Sequence, residues 1–446
     1  METSDFPSRL VLFGATGDLA ARYLFPALGA LAEHGLLPDP FHLTGVGSSE
    51  RSDDDLREQV AEALEGAGVD DAIRKRLVEQ VRYRVASVDD GDAVREAVES
   101  TPGEGPVIAY LALPPGTYAD ALRALADAKL PDGSRIVIEK PFGEGLDSAR
   151  ELNELIDEFF DESSIYRVDH FVAKTTIQNI LGLRFANRIF EPIWSNQHVE
   201  KVEIVFDETL ELEGRAKYYD DAGALVDMIQ NHLMQLLCLV AMDPPASLDG
   251  EDLRDRKVSV LRSIRPPAPG QTIRGRYAGY ADEEGVDPSK ETETFAQVTL
   301  FVDSWRWAGV PFLLRSGKAL EADKQEITVT FKDVPHLAWG QDEQPVQNVL
   351  RLRLDSSPEQ LHLSLNANGG DDLFDLAPLT MTSKLHAAEL PAYAHVFLNV
   401  LKGDSTLSVR GDEAEEAWRI VDPVRDAWKA GEVELLEYER GSSGPA

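Results

Sequence analysis

The stretch that decides the fold lies near the start of the chain and reads Arg9-Leu-Val-Leu-Phe13-Gly14-Ala-Thr-Gly17-Asp18-Leu-Ala20. The apolar run predicts a buried β-strand, and the two glycines predict a tight turn. Apolar residues then recur with helical spacing over residues 23–32, which predicts a helix. A glycine turn between a strand and a helix lets the backbone approach a pyrophosphate at the positive end of the helix dipole. The alternative at this point is a strand–helix turn that binds no ligand.

Strands alternate with helices through the first part of the chain. Further buried strands are predicted at residues 42–46, 107–113 and 135–138, and helical stretches at 53–80 and 118–128. This alternation is typical of a doubly wound parallel sheet. Together with the glycine turn, it favours the dinucleotide-binding interpretation over the ligand-free one.

The second half of the chain has a different pattern. Apolar and polar residues tend to alternate in the runs 201–206, 297–302, 327–331, 349–354 and 361–365. Alternation with period two predicts antiparallel strands that have one solvated face. We therefore predict a dinucleotide-binding α/β domain of the Rossmann type over residues 1–166. An α+β domain is predicted over 167–446, with helices on one face of a large antiparallel sheet that offers a broad surface for self-association.

The composition is strongly acidic, with 79 Asp and Glu against 44 Lys and Arg and a formal net charge of -35. Such a field repels nucleic acid and anionic membranes, so neither is expected as a partner. The acids are spread along the chain, which favours a halophilic protein over a merely acidic mesophilic one. No apolar run approaches the ~18 residues of a membrane span. With no signal-peptide pattern and a single cysteine, Cys238, we expect a soluble cytoplasmic protein.

The second predicted strand ends in Gly45-Val-Gly-Ser48-Ser-Glu-Arg51, and no carboxylate stands directly at its end. Ser48, Ser49 and Arg51 could hold the 2′-phosphate of NADP, although Glu50 stands among them. We therefore predict NADP as cofactor, with NAD as the alternative, and no metal. Asp18 could cap the helix instead of contacting the cofactor. The predicted cofactor contacts are Gly14, Thr16, Gly17, Asp18, Leu19, Ser48, Arg51 and Lys140.

Ionisable residues are unusually dense between residues 166 and 245. Arg167-Val-Asp169-His170 opens this stretch, and Asp227-Met-Ile-Gln-Asn-His232 lies near its end. A dehydrogenase for sugars needs a base for a hydroxyl proton, a group that orients the base, and cations for an anionic substrate. Glu139-Lys140-Pro follows a buried strand, where parallel sheets place ligands. For each residue taken alone, a core histidine or a solvated charge is the alternative.

These motifs, in this order, resemble the glucose-6-phosphate dehydrogenase family, and the resemblance covers essentially the whole chain. It is carried by Gly14-Ala-Thr-Gly-Asp-Leu-Ala20, Tyr110-Leu-Ala-Leu-Pro-Pro115, Glu139-Lys-Pro-Phe-Gly143, Arg167-Val-Asp-His170, Leu183-Arg-Phe-Ala-Asn-Arg-Ile-Phe190, Asp227-Met-Ile-Gln-Asn-His-Leu233, Arg306-Trp-Ala-Gly-Val-Pro311 and Glu416-Ala-Trp-Arg-Ile420. The resemblance implies oxidation of glucose 6-phosphate at C1 to 6-phosphoglucono-1,5-lactone, with hydride transfer to NADP, at the entry to the pentose phosphate pathway. It also implies that the domain over 167–446 binds the substrate and dimerises, which gives a homodimer or a dimer of dimers.

The resemblance implies a role for each candidate site residue. His232 corresponds to the general base, and Asp169 to the carboxylate that orients it. His170 and Lys174 correspond to the residues that bind the substrate phosphate. The implied sugar contacts are Lys140, Lys318, Glu208 and Asp227.

The sequence departs from the family pattern where the phosphates would bind. Phe171 stands where the family usually has a tyrosine, and the lost hydrogen bond to a charged group would cost ~1.5–3 kcal/mol. After Lys318 the family usually has a second cation five residues on, whereas this chain has Asp323 and then Lys324. Ser48 replaces an arginine found in many members. Two alternatives therefore stay open: a paralogous dehydrogenase of another aldose or aldose phosphate, possibly NAD-linked, and a catalytically silent regulatory relative.

Overall fold

The structure is a computed structural model that describes residues 3–171, 175–212, 216–339, 345–355, 358–370, 376–386 and 388–445. The chain divides into two compact units. The first comprises Met1–Lys174, Pro245–Asp255 and Ala388–Glu415, and the second comprises Thr175–Pro244, Arg256–Ala387 and Glu416–Ala446. The predicted division between residues 166 and 167 falls inside the first unit, which also takes in two later segments. The predicted domain bounds stay a prediction.

The strands, numbered along the chain, are β1 (Arg9–Phe13), β2 (His42–Gly47), β3 (Val81–Val85), β4 (Val107–Leu111), β5 (Arg135–Glu139), β6 (Ile165–Val168), β7 (Val199–Asp207), β8 (Thr272–Tyr277), β9 (Phe295–Phe301), β10 (Pro311–Gly317), β11 (Lys324–Phe331), β12 (Val349–Arg353), β13 (Gln360–Asn368), β14 (Leu376–Lys384), β15 (Ser408–Val409) and β16 (Leu435–Tyr438). The helices are α1 (Phe25–Glu33), α2 (Asp53–Gly66), α3 (Asp71–Glu79), α4 (Gly91–Ser100), α5 (Tyr118–Ala128), α6 (Leu146–Phe159), α7 (Thr175–Phe185), α8 (Ala216–Ala224), α9 (Met234–Ala241), α10 (Gly250–Arg262), α11 (Ala392–Lys402) and α12 (Gly411–Lys429). Residues Ala20–Leu24 and Leu225–Leu233 form π-helical segments.

The first unit is built on a seven-stranded sheet with the order β15-β6-β5-β4-β1-β2-β3. Strands β1 to β6 pair in parallel, and only the short β15 runs antiparallel to its neighbour within this sheet. Strand β1 pairs with both β2 and β4, so the strand order reverses there. Ligands bind outside the carboxyl ends of strands at such a point. The predicted doubly wound sheet is confirmed; its strands β3, β6 and β15 were not predicted from the sequence.

Both faces of this sheet are covered, which explains its continuous apolar strands. Leu10 and Leu12 of β1 pack in one core together with residues of α1 and α11. Val11 and Phe13 point the other way and pack with residues of α4 and α5. Successive side chains of a strand alternate between faces, so a strand that is buried on both sides must be apolar throughout.

The second unit is built on a nine-stranded sheet with the order β14-β13-β12-β11-β7-β10-β9-β8-β16. Most neighbouring strands pair antiparallel, as predicted. Two pairs, β7 with β10 and β8 with β16, are parallel. The predicted sheet is therefore confirmed as mostly antiparallel. Alternating polarity shows which face of a strand is buried, but it does not show whether the neighbouring strand runs parallel or antiparallel.

A long helical stretch of the second unit, Ala216–Ala241, contains α8, the π-helical segment Leu225–Leu233 and α9. Within the described residues it is the one helix long and apolar enough to cross a membrane by length and composition. However, 89% of its most apolar 18-residue stretch is buried inside the structure, as in the core helix of a globular protein.

Candidate active site

The glycine turn after β1 has the geometry that the sequence predicts. Gly14 has a φ of +78°, and a Cβ on it would lie 2.1 Å from the carbonyl oxygen of Ala112, so only glycine fits. The Gly17 amide donates to the Gly14 carbonyl at 3.0 Å, which closes the turn. The helix already includes Asp18 and Leu19, so Asp18 lies in its first turn and does not hold the N-cap position. The first amides of a helix lack intrahelical acceptors and can bind a phosphate.

Arg51, beyond the end of β2, is tied to the glycine turn through one side chain. Its Nη1 donates to Oε1 of Gln59 at 3.2 Å, and Nε2 of Gln59 donates to the Ala15 carbonyl at 3.3 Å. Ser48 and Glu50 are exposed beside it. A guanidinium held at this edge of the sheet suits a phosphate on the adenosine ribose.

Two carboxylates that follow Arg51 make local structural bonds. Asp53 accepts a hydrogen bond from the Tyr83 amide at 2.7 Å, which joins α2 to β3. Asp55 accepts from the Ser52 amide at 2.7 Å and forms a capping box with it. The hydrogen bonds from Ser52 lower the pKa of Asp55. Both acids therefore serve the start of α2.

Lys140 directly follows the last residue of β5, Glu139, which is buried. The Glu139 carboxylate accepts a short hydrogen bond from the Tyr110 hydroxyl, and the Tyr118 hydroxyl donates to its backbone carbonyl at 2.9 Å. Burial raises the pKa of Glu139 to about 7, against the opposing effects of Tyr110 and Lys140. Lys140 was predicted from the sequence as a site residue, whereas the Tyr110–Glu139 pair was not, although both residues lie in the motifs that carry the resemblance.

Asp169 and His170 follow the end of the neighbouring strand β6. Asp169 is buried, with 1% of its surface exposed, and its Oδ1 accepts from the Phe171 amide at 2.9 Å. The His170 ring stacks on Tyr393 with centroids 5.2 Å apart and planes 16° from parallel. Burial, with added repulsion from Glu139 and Asp169, raises the pKa of Tyr393. The first unit thus gathers these predicted residues at adjacent strand ends, while Lys174 lies outside the described residues.

In the second unit, Asp227 and His232 both lie on the π-helical segment Leu225–Leu233. His232 is 1% exposed, and its amide donates to the Asn231 side-chain oxygen at 2.6 Å. The Asn231 amide group in turn donates to the Val226 carbonyl at 2.8 Å. Asp227 is half-buried and accepts a hydrogen bond from the Tyr218 hydroxyl at 3.3 Å. Widened helical turns of this kind are frequent at functional sites.

The C-terminal end of this helix is held by three side chains. Arg184 donates to the carbonyls of residues 239 and 242, at 2.8 and 2.7 Å. The indole nitrogens of Trp194 and Trp307 donate to the carbonyls of residues 240 and 241, at 2.8 and 2.7 Å. Burial lowers the pKa of Arg184 to about 10, so it stays charged at neutral pH. These bonds satisfy carbonyls that a helix end otherwise leaves without partners.

Lys318 and Glu208 form a largely buried pair in the second unit. Lys318 is 4% exposed, and its Nζ lies 2.6 Å from Oε2 of Glu208. The same Nζ lies 5.3 Å from the ring centroid of Tyr219. Burial raises the pKa of Tyr219, with further contributions from carboxylates that include Asp227 and Glu208. Tyr219, which was not predicted from the sequence, therefore lies beside Lys318 and interacts electrostatically with Asp227 and Glu208.

The residues that depart from the family pattern make bonds of their own. Oδ1 of Asp323 accepts from the Thr209 amide at 2.6 Å and from the Thr209 hydroxyl at 2.9 Å. Nζ of Lys324 lies 3.2 Å from Oε1 of Glu326 within β11. In this structure, the place expected for a second cation holds a carboxylate that fixes the loop after Glu208.

A dinucleotide-binding unit, together with a second unit that holds a buried histidine and a lysine–carboxylate pair, defines a nucleotide-dependent dehydrogenase. Two family models match the chain: "Glucose-6-phosphate dehydrogenase, NAD binding domain" over residues 11–179 and "Glucose-6-phosphate dehydrogenase, C-terminal domain" over residues 181–446. The chain belongs to the glucose-6-phosphate dehydrogenase family. The predicted family is confirmed, and so is the predicted class of enzyme, an oxidoreductase.

Curated relatives and solved structures agree with this assignment. The chain is 39% identical to glucose-6-phosphate 1-dehydrogenase of Treponema pallidum, over 98% of this chain and 92% of the relative. It is 36% identical to that of Bacillus subtilis, over 100% of this chain and 96% of the relative. The crystal structure of the Mycobacterium avium enzyme matches with a TM-score of 0.90 at 36% identity, over 99% of this chain and 95% of that one. A glucose-6-phosphate dehydrogenase solved in complex with glucose 6-phosphate matches with a TM-score of 0.88 at 30% identity, over 98% and 95%.

Proposed function

We propose that this protein oxidises glucose 6-phosphate at C1 to 6-phosphoglucono-1,5-lactone and passes the hydride to NADP. The observation that carries the proposal is the largely buried Lys318–Glu208 pair beside Tyr219, whose pKa Asp227 also helps to raise, in the unit that also holds His232. An ammonium and two carboxylates offer the donors and acceptors that sugar hydroxyls require. Family membership supports the same substrate.

His232 would take the proton of the C1 hydroxyl as C1 is oxidised. Imidazole suits this step because its ordinary pKa is near neutrality. Asp169 would fix the tautomer of the ring and stabilise the imidazolium, in the way that a triad carboxylate does. NADP, when bound, supplies the hydride acceptor. The assignment of both residues is a proposal from the family resemblance and the chemistry of their side chains.

The first unit would bind the cofactor at the glycine turn. The backbone from Gly14 to Leu19, with Thr16, Gly17 and Asp18 between them, would hold the pyrophosphate. Ser48 and Arg51 would hold the 2′-phosphate, and Lys140 would lie between cofactor and sugar. Two observations support NADP over NAD: the Arg51–Gln59–Ala15 connection, and the local bonds that occupy Asp53 and Asp55.

A second candidate function is oxidation of another aldose or aldose phosphate. It is favoured by Asp323, which bonds to Thr209 where the family usually offers a second cation. Phe171 also lacks a hydroxyl for the substrate phosphate. We nevertheless assign the phosphate to His170 and Lys174, because the remaining sugar contacts match the family pattern.

The proposed substrate and cofactor are tested by steady-state kinetics across a range of KCl. Values of kcat/KM would be compared for glucose 6-phosphate, galactose 6-phosphate and glucose, each with NADP and with NAD. The proposal expects the highest value for glucose 6-phosphate with NADP, and activity that rises with salt. If unphosphorylated glucose matches glucose 6-phosphate, the phosphate assignment is wrong. If galactose 6-phosphate is preferred, the second candidate stands.

We also propose a cytoplasmic, halophilic enzyme that forms a homodimer or a dimer of dimers through the β13–β14 end of its second sheet. The described side chains of these two strands are half-buried or exposed, and Leu379 and Met381 are 45% and 57% exposed. Exposed apolar side chains grouped on a sheet mark an interaction surface. Light scattering in high KCl should give a mass of at least two chains, and a monomer would contradict the assembly.

A further inference from the structure

The helix that carries Asp227 and His232 begins at a break in its backbone. Gly223, at the end of α8, has a φ of 65° and a ψ of 173°, which are not helical values. The side chain of Glu293, which comes from the segment before β9, meets the chain at this break. Its Oε1 accepts a hydrogen bond from the Leu225 amide at 2.9 Å, and its backbone carbonyl accepts from the Ala224 amide at 3.2 Å. Glu293 therefore caps the N-terminus of the helical segment from a distant part of the chain.

Gly223 and Glu293 fit each other sterically. A Cβ on Gly223 would lie 2.3 Å from Oε1 of Glu293, and the positive φ is one that residues with a side chain rarely adopt. The carboxyl thus occupies the space that the absent side chain leaves. The break brings the Leu225 amide to face this carboxyl.

Burying the carboxylate of Glu293 has an unfavourable free energy. It is 8% exposed, and burial raises its pKa to about 7, against the opposing effects of the Leu225 amide, Arg274 and Arg425. It also lines a cavity of about 470 Å³. The charged and titratable groups around it are Arg274, Arg425, Tyr219 and Tyr280, with Asp220, Asp221, Lys290, Glu291 and Lys429 on the cavity wall.

The capped amide lies close to the proposed site along the helix. Asp227 comes two residues after Leu225, and His232 seven residues after it. The other end of the helix is already held by Arg184, Trp194 and Trp307. A helix that is fixed at both ends has a defined rotation about its axis, and that rotation decides where its side chains point.

We propose that Glu293 is a positioning residue for the reaction, because its hydrogen bond with the Leu225 amide sets the orientation of the helical segment that carries Asp227 and His232. Gly223 is the matching residue that gives the carboxyl its place. The kinetic consequences of this inference rest on the proposed function. Small displacements of a base from its reacting atom have large effects, and a shift of about 1 Å can cost ~10²-fold in rate.

The first test compares Glu293→Ala, Glu293→Gln and a control, Glu326→Ala, in the full-length enzyme. Glu326 is another buried glutamate of the second unit and lies on β11. We expect Glu293→Ala to lower kcat per folded molecule by about 10- to 100-fold with KM for NADP nearly unchanged. Glu293→Gln should stay within about threefold of wild type, because its amide oxygen can still accept from Leu225. Wild-type kcat in Glu293→Ala, or an equal loss in Glu326→Ala, would overturn the proposal.

The second test is a double-mutant cycle with Gly223→Ala. In wild type the added methyl group should both displace the carboxyl and strain the backbone, whereas in Glu293→Ala only the strain of the positive φ remains. The losses of kcat in Gly223→Ala and Glu293→Ala should therefore be far from additive. Additive losses would mean that the two positions act independently, which contradicts the proposal.

Hydrogen exchange separates failure of this inference from failure of the proposed function. Amides within 225–233 should exchange at least ~10-fold faster in Glu293→Ala than in wild type, and at the wild-type rate in Glu326→Ala. If the wild-type protein does not turn over glucose 6-phosphate, the proposed function fails, and exchange still decides the capping role. Unchanged exchange in Glu293→Ala would overturn the capping role, whatever the activity.

Discussion

Each of the two units contains a buried glutamate beside predicted site residues, and comparing the two shows how differently the units hold their sites. Burial raises the pKa of both Glu139 and Glu293 to about 7. Glu139 accepts from the hydroxyl of Tyr110, whereas Glu293 accepts from the backbone amide of Leu225. A hydroxyl can rotate and become an acceptor when the carboxyl takes a proton, but an amide can only donate.

The difference corresponds to the kind of element on which each site is built. The first unit presents Lys140, Asp169 and His170 directly after strand ends, supported by tyrosine side chains. The second unit presents His232 inside a buried helix whose ends are bonded through the backbone. We infer that the first arrangement allows either direction of its hydrogen bond, whereas the second needs an acceptor oxygen facing Leu225 in every protonation state and so fixes one geometry.

The largest effect is expected at His232 itself. Replacing His232 with Asn removes the proposed base, so kcat should fall by at least ~10²-fold while KM for glucose 6-phosphate changes little. The exposed His198 of the same unit provides the control, and His198→Asn should keep wild-type kcat. Steady-state kinetics check both variants. Turnover at the wild-type rate in His232→Asn would show that the second unit does not supply the base.

The next effect concerns how pH changes stability. The folded pKa of each glutamate, about 7, lies above its ordinary value of 4.5, so the folded protein binds more protons between these values. The stability that each contributes is complete below about pH 4.5 and is lost as the pH rises through 7, by about 3 kcal/mol in all. Glutamine does not titrate. The unfolding free energy of wild type relative to each Gln variant should therefore decrease as the pH rises.

Urea unfolding of wild type, Glu139→Gln and Glu293→Gln between pH 5 and 8 measures these differences. Because the two residues lie in separate units, the double variant should show the sum of the single effects. Glu139→Gln should keep activity across the range if the first arrangement allows either direction of its hydrogen bond. Differences that do not change with pH would show that neither carboxyl titrates there.

A somewhat smaller effect is expected at Lys140. Lys140→Met removes a charged hydrogen-bond donor from the proposed sugar site, which should lower kcat/KM for glucose 6-phosphate by about 10- to 100-fold. Lys129, an exposed lysine of the same unit, provides the control. If Lys140→Met and Lys129→Met have equal kcat/KM, Lys140 is a solvated surface charge.

The smallest effect is expected at Tyr110. Tyr110→Phe removes the hydroxyl that donates to Glu139, so the unfolding free energy should fall by about 1–3 kcal/mol at pH 8 and by less at pH 5, where the carboxyl is protonated. Tyr118→Phe removes a bond to the Glu139 backbone carbonyl and should show the same loss at both pH values. Equal pH dependence in the two variants would contradict a special role for the side-chain pair.

Much of the molecule follows from local patterns in the sequence. The glycine turn, the buried strands of the first sheet and the alternating strands of the second are properties of short segments, so periodicity and glycine spacing predict them. Strand direction is not local, and the parallel pairs β7–β10 and β8–β16 escaped prediction for that reason. Likewise, Lys140 and His232 stand in recognisable motifs, whereas nothing near Glu293 in the sequence points to the amide that it caps.

The sequence alone therefore determined the family, the two kinds of sheet and the residue types that the chemistry requires. Each of these depends on a segment of a few residues or on an ordered set of motifs. Only the tertiary structure decided the environment of those residues. Glu293 and Leu225 are 68 residues apart in the sequence. Other groups that bury each other, form hydrogen bonds or shift each other's pKa values are also distant in the sequence. Burial and hydrogen bonding depend on which distant segments meet, and that information exists only once the chain has folded.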